Sequence, residues 1–279
     1  MKDIYGKSQR PELVAGTAGK SIQPAIAAAD GPRDPWKIID GQPLGAGGEA
    51  DAPPAAPIRF VIDRRARIIP HATEQVVLER YRKLRTKLMQ QHSIREFRSL
   101  MVTSATPQEG KTLTVFNLAL SFAMIPGFRV AVVDGDLRRG SVGRWLGAED
   151  RPGLINLLEG SATVDDVILK SDDLPVHFIL SGNTRSSSAE LMQPGDLREH
   201  MRQISERFDL VIVDSAPVNV ITDAQLLASC CDAILLVARA FITTRKEFEK
   251  MAADLQAFRI IGTVLNGGTQ MKRHYKGYY

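Results

Sequence analysis

The chain has 279 residues, of which 44% are hydrophobic and 24% are charged, and its formal net charge is +4 at pH 7. This length suffices for one sizeable α/β domain with additional segments. The basic residues are spread through most of the sequence, so charge alone does not indicate a nucleic-acid partner. The two cysteines are adjacent, which excludes both an ordinary disulfide between them and a metal-ligand set.

The first segment, residues 1–57, is rich in Gly, Ala, Pro and mixed charges, and residues 41–57 contain almost no large apolar side chains. This composition predicts a disordered arm. The arm lacks the basic start, apolar centre and small-residue cleavage site of a secretory signal, so we expect a cytoplasmic protein. Trp36 and the two isoleucines that follow at 38–39 are either a short docking motif or an apolar cluster without specific meaning.

Residues 72–91 are the first helix candidate. Its apolar side is formed by Val76, Val77, Leu84 and Leu88. A second stripe carries Glu79, Arg82 and Arg85 at intervals of three residues. A charged stripe of this kind on a helix is usually a solvated, salt-bridged face.

Short apolar runs then alternate with helical patterns along the chain. The runs lie at 97–104, 130–133, 178–180, 210–213, 233–237 and 260–265. Buried parallel strands joined by helices produce this rhythm. The sequence therefore predicts an α/β domain over residues 58–267, with a mainly parallel central sheet flanked by helices, and a short tyrosine-containing tail over residues 268–279.

A Gly-Lys-Thr triplet at 110–112 joins the run at 97–104 to a helical pattern at 113–123. At such a strand-to-helix junction, backbone N–H groups and the helix N-terminus face an anion, the lysine reaches the outer phosphates, and the threonine hydroxyl can hold magnesium. Lys111, Asn117 and the Pro-Gly pair at 126–127 keep this apolar stretch shorter than the roughly 20 residues of a membrane span. The pattern predicts a phosphate-binding loop.

Three aspartates follow predicted strands. Asp134 and Asp136 come after the run at 129–133, and Asp214 comes after the run at 210–213. An acidic residue after a strand is most often a turn former or a helix cap. Ligands of open parallel sheets bind outside the carboxyl ends of the strands, however, so these carboxylates are predicted to converge on a metal that accompanies the nucleotide.

Three motifs in this order resemble the bacterial tyrosine kinases of capsule and exopolysaccharide systems, whose catalytic domain is a P-loop ATPase related to septum-positioning and plasmid-partition proteins. The motifs are Ser-Ala-Thr-Pro-Gln-Glu-Gly-Lys-Thr at 104–112, Val-Asp-Gly-Asp-Leu-Arg-Arg at 133–139, and Phe-Asp-Leu-Val-Ile-Val-Asp-Ser-Ala-Pro at 208–217. The resemblance runs from about residue 74 to the last residue. Segments 153–160 and 262–267 and the terminal tyrosines agree with it.

The resemblance implies ATP and Mg²⁺ as cofactors and assigns roles to individual residues. The nucleotide-binding residues are Thr106, Gln108, Glu109, Gly110, Lys111, Thr112, Leu113 and Asn266. The magnesium residues are Thr112, Asp134 and Asp214. The catalytic residues are Lys111, Asp134, Asp136 and Arg138, where either aspartate helps to activate a tyrosine hydroxyl, and Arg138 or Arg139 either contacts the transferring group or lies at the surface.

The resemblance also implies a homo-oligomeric ring with Glu79, Arg82 and Arg85 at the subunit interface. Phosphorylation then takes place in trans on Tyr275, Tyr278 and Tyr279. A separate membrane-embedded polysaccharide copolymerase acts as the activator, and it holds the cytoplasmic protein at the inner face of the cell membrane.

Three departures from the family pattern keep alternative functions open. Gln108 stands where the family usually has a flexible glycine, so it is strained if that position needs φ > 0. Ala216 replaces the first proline of Asp-x-Pro-Pro, and residues 185–188 replace a proline-containing stretch. One alternative is a positioning or partition ATPase switch, although Ala105-Thr106 stand where those relatives carry a lysine. The other alternative is a nucleotide-binding scaffold of the polysaccharide machinery without kinase activity.

Overall fold

The computed structural model describes residues 75–171, 174–182, 194–220 and 223–268, together with Trp36 and three two-residue strands before them. The first two strands, β1 (Ile38–Ile39) and β2 (Gln42–Pro43), pair with each other in an antiparallel ribbon. Much of the predicted arm, including 1–35 and 44–56, and the whole of 269–279 lie outside the described residues.

The remaining strands form one eight-stranded sheet in the order β10-β9-β4-β8-β5-β7-β6-β3. These strands are β3 (Pro57–Ile58), β4 (Ser99–Ser104), β5 (Val130–Asp134), β6 (Leu169–Ser171), β7 (His177–Ile179), β8 (Leu210–Asp214), β9 (Ala233–Arg239) and β10 (Ile260–Asn266). Every neighbouring pair is parallel except β6 and β7. The predicted, mainly parallel sheet is therefore confirmed.

Helices cover both faces of this sheet. They are α1 (Gln75–Ile94), α2 (Lys111–Ala123), α3 (Ser141–Leu146), α4 (Leu154–Leu158), α5 (Val164–Val167), α6 (Pro194–Glu206), α7 (Asp223–Ala228) and α8 (Arg245–Asp254). Side chains of α1, α2 and α3 pack in one hydrophobic core and those of α4 to α8 in the other. Along β5, Val130 and Val132 face the first core while Ala131 and Val133 face the second. Two covered faces explain why the strands read as continuous apolar runs.

The predicted helix and the predicted apolar runs correspond to observed elements, but the short elements β1, β2, β6 and α3 were not predicted. The strands β1 and β2 lie within the segment 1–57 that composition predicted to be disordered. The helix predicted over 72–91 spans Gln75–Ile94, and each predicted apolar run overlaps a strand. The strand β6 was missed, because its three residues carry Lys170 in the middle and show no apolar run. Within the described part of the chain, none of the helices combines the length and the apolar character that crossing a bilayer requires.

Trp36 packs against aromatic side chains that lie far from it in the sequence. Its indole stacks on His92 with 3.8 Å between ring centroids and 5° between planes. The edges of three further rings surround it, those of Phe97, Phe122 and Phe128, at centroid distances of 5.5, 5.6 and 5.2 Å. The tryptophan thus fixes one point of the amino-terminal segment on the first core, where α1 and α2 end.

We expect Trp36→Ala to lower the free energy of unfolding by about 2 kcal/mol, since a partly buried indole contributes on this scale through area and ring contacts. Trp36→Phe should lose about half as much. Thermal unfolding measures both effects. The chain has 2 tryptophans, so a Trp145→Phe background leaves Trp36 as the single fluorophore. Solvent-exposed emission from Trp36, with unchanged stability of Trp36→Ala, would contradict this packing.

Candidate active site

The loop between β4 and α2 has a conformation that its residue types explain only in part. Gly110 ends the loop at φ 90°, and a Cβ atom there would lie 2.6 Å from Nδ2 of Asn266. Glycine is therefore required at this position. Gln108 adopts φ 64°, a left-handed conformation that is costly for a residue with a side chain. The strain anticipated for Gln108 is present in the structure.

Side-chain hydrogen bonds hold the loop in this conformation. The carboxylate of Glu109 is buried, with Oε2 accepting the N–H of Thr106 at 2.9 Å and Oε1 accepting the hydroxyl of Thr243. The guanidinium of Arg239 donates to the carbonyl of Gln108 at 2.8 Å. The side chain of Glu109 therefore holds the loop in shape instead of facing a phosphate. Any contribution of Glu109 to phosphate binding would come from its backbone, whereas the backbone N–H of Thr106 already donates to the Glu109 carboxylate.

Two of the predicted aspartates are brought side by side by strand register. Asp134 on β5 is the direct partner of Asp214 on β8. Oδ2 of Asp134 accepts the N–H of Val142 at 2.8 Å, and its Oδ1 accepts the N–H of Asp136 at 3.3 Å. Both oxygens of Asp134 are thus engaged by the start of α3 and the turn before it. Its carboxylate orders this turn.

Asp214 and Asp136 each keep an oxygen available. The hydroxyl of Thr112 donates to Oδ2 of Asp214 at 2.6 Å. Among the described residues, Oδ1 of Asp214 and Oδ1 of Asp136 are buried without a hydrogen-bond partner. Buried carboxylate oxygens without partners are costly, and they are characteristic of sites that bind a cation or a proton donor.

The electrostatics of the pair follow from burial. Desolvation raises the pKa of Asp214 to about 6, although the Lys111 ammonium and the Thr112 hydroxyl act in the opposite direction. The pKa of Asp134 lies well above its usual range because of burial and, secondarily, the charge of Asp214. Without a cation, two buried carboxylates in register therefore bind protons more readily than ordinary aspartates do.

A cavity of about 440 Å³ opens beside the phosphate loop and Asp136. Its walls are formed by Pro107, Gln108, Gly110, Lys111, Thr112, Leu113, Asp136, Arg139, Ser141, Trp145 and Pro217. Of the two adjacent arginines, Arg139 faces the cavity, whereas Nε of Arg138 donates to Asp223 at 3.0 Å. The second arginine is thus the better placed of the two to reach a bound anion.

The oxygen atoms fit a magnesium ion that arrives with a phosphate ligand. The described residues include no group of three or more His, Cys, Asp or Glu side chains with metal-holding geometry. Magnesium usually binds one or two carboxylates and takes its remaining ligands from water and substrate phosphates. The free oxygen of Asp214 and the hydroxyl of Thr112 meet that requirement.

The three residues predicted to lie at a subunit interface make different contacts within the chain. On α1, Glu79 and Arg82 form an ion pair of 2.7 Å with both side chains about 40% exposed. Arg85 instead reaches α2 and donates to the carbonyl of Ser121. The tyrosines at 275, 278 and 279 lie outside the described residues.

Several residues of the site were not found from the sequence. Ser141 and Trp145 line the cavity from α3, which is too short to show helical periodicity, and Trp145 stacks on Phe116 with centroids 5.4 Å apart. Thr243 reaches Glu109 from a distant loop. Only the position of α3 directly after the 133–139 motif could have drawn attention to Ser141.

A glycine-terminated loop between a strand and a helix, with carboxylates at the ends of the neighbouring parallel strands, defines a P-loop nucleotide-binding protein. Comparison with known proteins agrees. The sequence profile of the family described as "AAA domain" matches residues 108–253, slightly more than half of the chain. The chain is 30% identical over 203 residues to the tyrosine-protein kinase YwqD of Bacillus subtilis (strain 168), covering 72% of this chain and 85% of that relative.

Solved structures of similar fold narrow the class of protein. The kinase domain of the Escherichia coli tyrosine kinase ETK superposes with a TM-score of 0.66 at 30% identity, covering 72% of this chain and 80% of that one. The septum site-determining protein MinD of Pyrococcus horikoshii OT3, complexed with Mg-ADP, gives a TM-score of 0.51 at 23% identity, covering 60% and 69%, and shows a shared fold. The chain belongs to the bacterial tyrosine kinase family and is an enzyme of that class.

Proposed function

We propose that this protein is an ATP-dependent protein-tyrosine autokinase that phosphorylates carboxyl-terminal tyrosines of neighbouring subunits and thereby regulates capsule or exopolysaccharide biosynthesis and export. The observation that carries the proposal is the meeting of Lys111, Thr112 and Asp136 around one cavity, with Asp214 hydrogen-bonded to Thr112 behind its wall. Phosphoryl transfer depends on positioning and charge neutralisation, which these groups supply.

In this mechanism the backbone N–H groups from Gln108 to Leu113 and the ammonium of Lys111 bind the phosphates. Thr112 and Asp214 would hold magnesium, which when bound neutralises charge that develops on the phosphate oxygens. Asp136, which lines the cavity with one oxygen unpartnered, accepts the proton of the incoming tyrosine hydroxyl. Asp134, with both oxygens engaged, positions the Asp136 turn.

We also propose that Arg139 stabilises the transferring group, while Arg138 maintains the loop after β5 through Asp223. Arg138 was the arginine assigned to catalysis by family resemblance, and the geometry makes its neighbour the stronger candidate. Asn266 supports the loop from β10 by donating to the carbonyl of Glu109 at 3.0 Å.

The tail begins beside the nucleotide site, since Asn266 contacts the loop and only residues 267 and 268 follow within the described chain. An extended segment of 269–279 would reach about 35 Å. The acceptor tyrosines lie nine to thirteen residues after Asn266, so the tail would have to turn back sharply for one of them to enter the active site of its own subunit. The tail could reach the active site of an adjacent subunit in an extended conformation. Transfer in trans, within an oligomer that α1 helps to form through Glu79, Arg82 and Arg85, is therefore part of the proposal.

The proposal includes a membrane-embedded copolymerase that activates the kinase and recruits it from the cytoplasm to the membrane. It also includes the division of the chain into an arm (1–57), a kinase domain (58–267) and a tail (268–279). These parts rest on the family relationship and on the composition of the arm and tail.

A mixing experiment tests both the reaction and its direction. One chain has Lys111→Met and an intact tail. The other chain keeps Lys111, but its Tyr275, Tyr278 and Tyr279 are changed to Phe. After incubation with Mg²⁺ and ATP, with and without candidate activator segments, mass spectrometry should find phosphate on the tail of the Lys111→Met chain. Neither chain alone should become phosphorylated there.

Other outcomes would revise the proposal in distinct ways. If the wild-type tail is phosphorylated but the mixture is not, transfer is intramolecular. If ADP binds while every tail stays unmodified under all conditions, the protein is a nucleotide-dependent switch or scaffold instead of an autokinase.

A further inference from the structure

A groove of about 540 Å³ lies between helix α1 and strand β10. Leu84 of α1 and Leu265 of β10 contribute apolar surface to it, and Leu265 is 64% exposed. Arg80, Lys83 and Lys87 line the same groove from α1. The α1–β10 groove therefore offers apolar surface and positive charge side by side.

The positive charge of α1 is not balanced within the helix. Its one acidic residue is Glu79, which pairs with Arg82 at 2.7 Å. Its lysines and arginines are Arg80, Arg82, Lys83, Arg85 and Lys87. Spacings of three and four residues place Arg80, Lys83 and Lys87 on one face of the helix. Like charges gathered on one face attract an anionic ligand.

The opposite wall of the groove is the edge of the sheet. β10 ends the strand order and, among the described strands, pairs with β9 alone. Its seven residues, Ile-Ile-Gly-Thr-Val-Leu-Asn, include neither a charged residue nor a proline. Exposed edge strands usually carry such residues, because an open row of backbone N–H and C=O groups otherwise pairs with another segment. This wall is therefore suited to an extended peptide.

The carboxyl-terminal tail starts in this groove. Gly267 and Gly268, the last described residues before the tail segment 269–279, both line it. The distance along α1 from Arg80 to Lys87 is about 10 Å, whereas an extended segment of 269–279 reaches about 35 Å. Each tyrosine of the tail is thus within reach of the basic face of α1.

The charge of the tail determines whether it can occupy the groove. Residues 269–279 include Lys272, Arg273 and Lys276 and no acidic residue, so α1 repels the unmodified tail. A phosphate on tyrosine adds about −1.5 to −2 charges at pH 7. Phosphates on all three tyrosines therefore outweigh the three basic residues. Each phosphotyrosine also combines a ring for apolar surface with oxygen atoms that arginine and lysine bind.

We propose that the α1–β10 groove is a phosphotyrosine site that binds the phosphorylated tail of its own chain. Arg80 and Lys87 pair with the phosphates, and Leu84 and Leu265 contact the rings. The inference rests on the proposed function, which supplies the phosphates. A modified tail held on its own chain stays out of the active site of the neighbouring subunit, so that site becomes free for the next unmodified tail.

The test is a calorimetric titration with a synthetic peptide of residues 269–279 that carries phosphate on its three tyrosines. The protein is the full chain with Tyr275, Tyr278 and Tyr279 changed to Phe, and saturating ADP and Mg²⁺ keep the nucleotide site occupied. The phosphorylated peptide should bind at least about tenfold more tightly than the unmodified peptide. Higher salt should weaken its binding, because the contacts are charged and exposed.

A double variant, Arg80→Gln with Lys87→Gln, should raise the dissociation constant of the phosphorylated peptide about tenfold, since both side chains are exposed and glutamine keeps the helix. Arg198→Gln with Lys246→Gln is the matched control. These two residues are also exposed, but they lie on α6 and α8, whose side chains pack in the other core. The control removes the same charge and should keep the affinity of the parent chain.

Two further ligands test the rings and the location of the tail. A peptide with phosphoserine at the three tyrosine positions keeps the phosphates without the rings, so it should bind at least about threefold more weakly. Ligation of the phosphorylated peptide to residues 1–268 gives a full chain with its own phosphates. That chain should not bind the free peptide, because a tethered tail occupies the groove at high effective concentration.

Four results would overturn the inference. They are equal binding of phosphorylated and unmodified peptides, unchanged affinity in the Arg80→Gln and Lys87→Gln variant, an equal loss in the control variant, and full binding of free peptide by the ligated chain. Equal affinity for the phosphoserine peptide would also contradict it, since charge alone would then explain binding.

The phosphates of the peptide come from synthesis, so the titration does not depend on kinase activity. A chain that phosphorylates its tail but does not bind the phosphorylated peptide refutes this inference alone. A chain that binds the peptide but never phosphorylates its tail refutes the proposed function alone.

Discussion

Lys111→Met is expected to lower the rate of tyrosine phosphorylation by about 10³-fold, on the scale of removing one preorganised positive group from a phosphoryl-transfer site. Lys111 is the first residue of α2 and is only 8% exposed. Methionine has a similar length and fits the same space, so the domain should stay folded. The loss should appear in single-turnover transfer of labelled phosphate from ATP, with the fold checked by circular dichroism.

Lys250→Met provides the matched control. Lys250 lies on α8 and forms an exposed pair of 2.8 Å with Asp254. Exposed pairs contribute little, so this substitution should change neither the rate nor the stability appreciably. Full activity of Lys111→Met would show that the cavity above α2 is not the site of transfer.

Asp214→Asn is expected to stabilise the ligand-free protein at neutral pH while reducing the transfer rate at least 10²-fold. The pKa of Asp214 is raised from 3.8 to about 6 by burial. A carboxyl group with a raised pKa in the folded state costs stability above that pKa, and the cost disappears as the pH falls towards the unfolded value. At 1.36 kcal/mol for each pKa unit, the cost at pH 7.5 is about 3 kcal/mol.

Thermal unfolding without nucleotide or Mg²⁺ measures this effect. The Tm of Asp214→Asn should exceed that of the wild type by roughly 5–10 °C at pH 7.5. The difference should close as the pH falls from about 6 to about 4, because the wild-type carboxyl group becomes protonated in this window. Magnesium with ADP should raise the Tm of the wild type and have little effect on the variant.

Asp232→Asn serves as a control, because it should lower the Tm where Asp214→Asn raises it. Oδ2 of Asp232 accepts three hydrogen bonds, from the N–H groups of Arg98 and Ser99 and the hydroxyl of Ser99. Loss of its charge weakens all three, so stability at pH 7.5 should fall. A lower Tm for Asp214→Asn at the same pH would mean that the Asp214 carboxylate is compensated by contacts other than those described above.

The parts of the protein predictable from sequence are those that local chemistry determines. The loop at 105–110 was found because Gly110 and Lys111 sit between an apolar run and a helical pattern. The aspartates at 134 and 214 were placed together because the ends of parallel strands share one edge of the sheet, and the register confirms that they are direct partners.

The parts that could not be predicted depend on contacts between residues far apart in the chain. The brace between Glu109 and Thr243 and the packing of Trp36 on His92 have no local signature. Arg138 and Arg139 are identical and adjacent, so only the three-dimensional path of the turn shows which one faces the cavity. Three-residue strands such as β6 are too short for any periodic signal.

The position of Asn266 has a consequence for synthesis of the protein. The phosphate loop is complete only when this residue, on the sheet-edge strand β10, donates to the carbonyls of Glu109 and Gly110. Ribosomes build the chain from its amino terminus, so more than 150 residues must follow Gly110 before that support exists. A nascent chain that already contains the Gly-Lys-Thr triplet should therefore not yet bind nucleotide tightly. Incomplete molecules on the ribosome would then remain free of ATP.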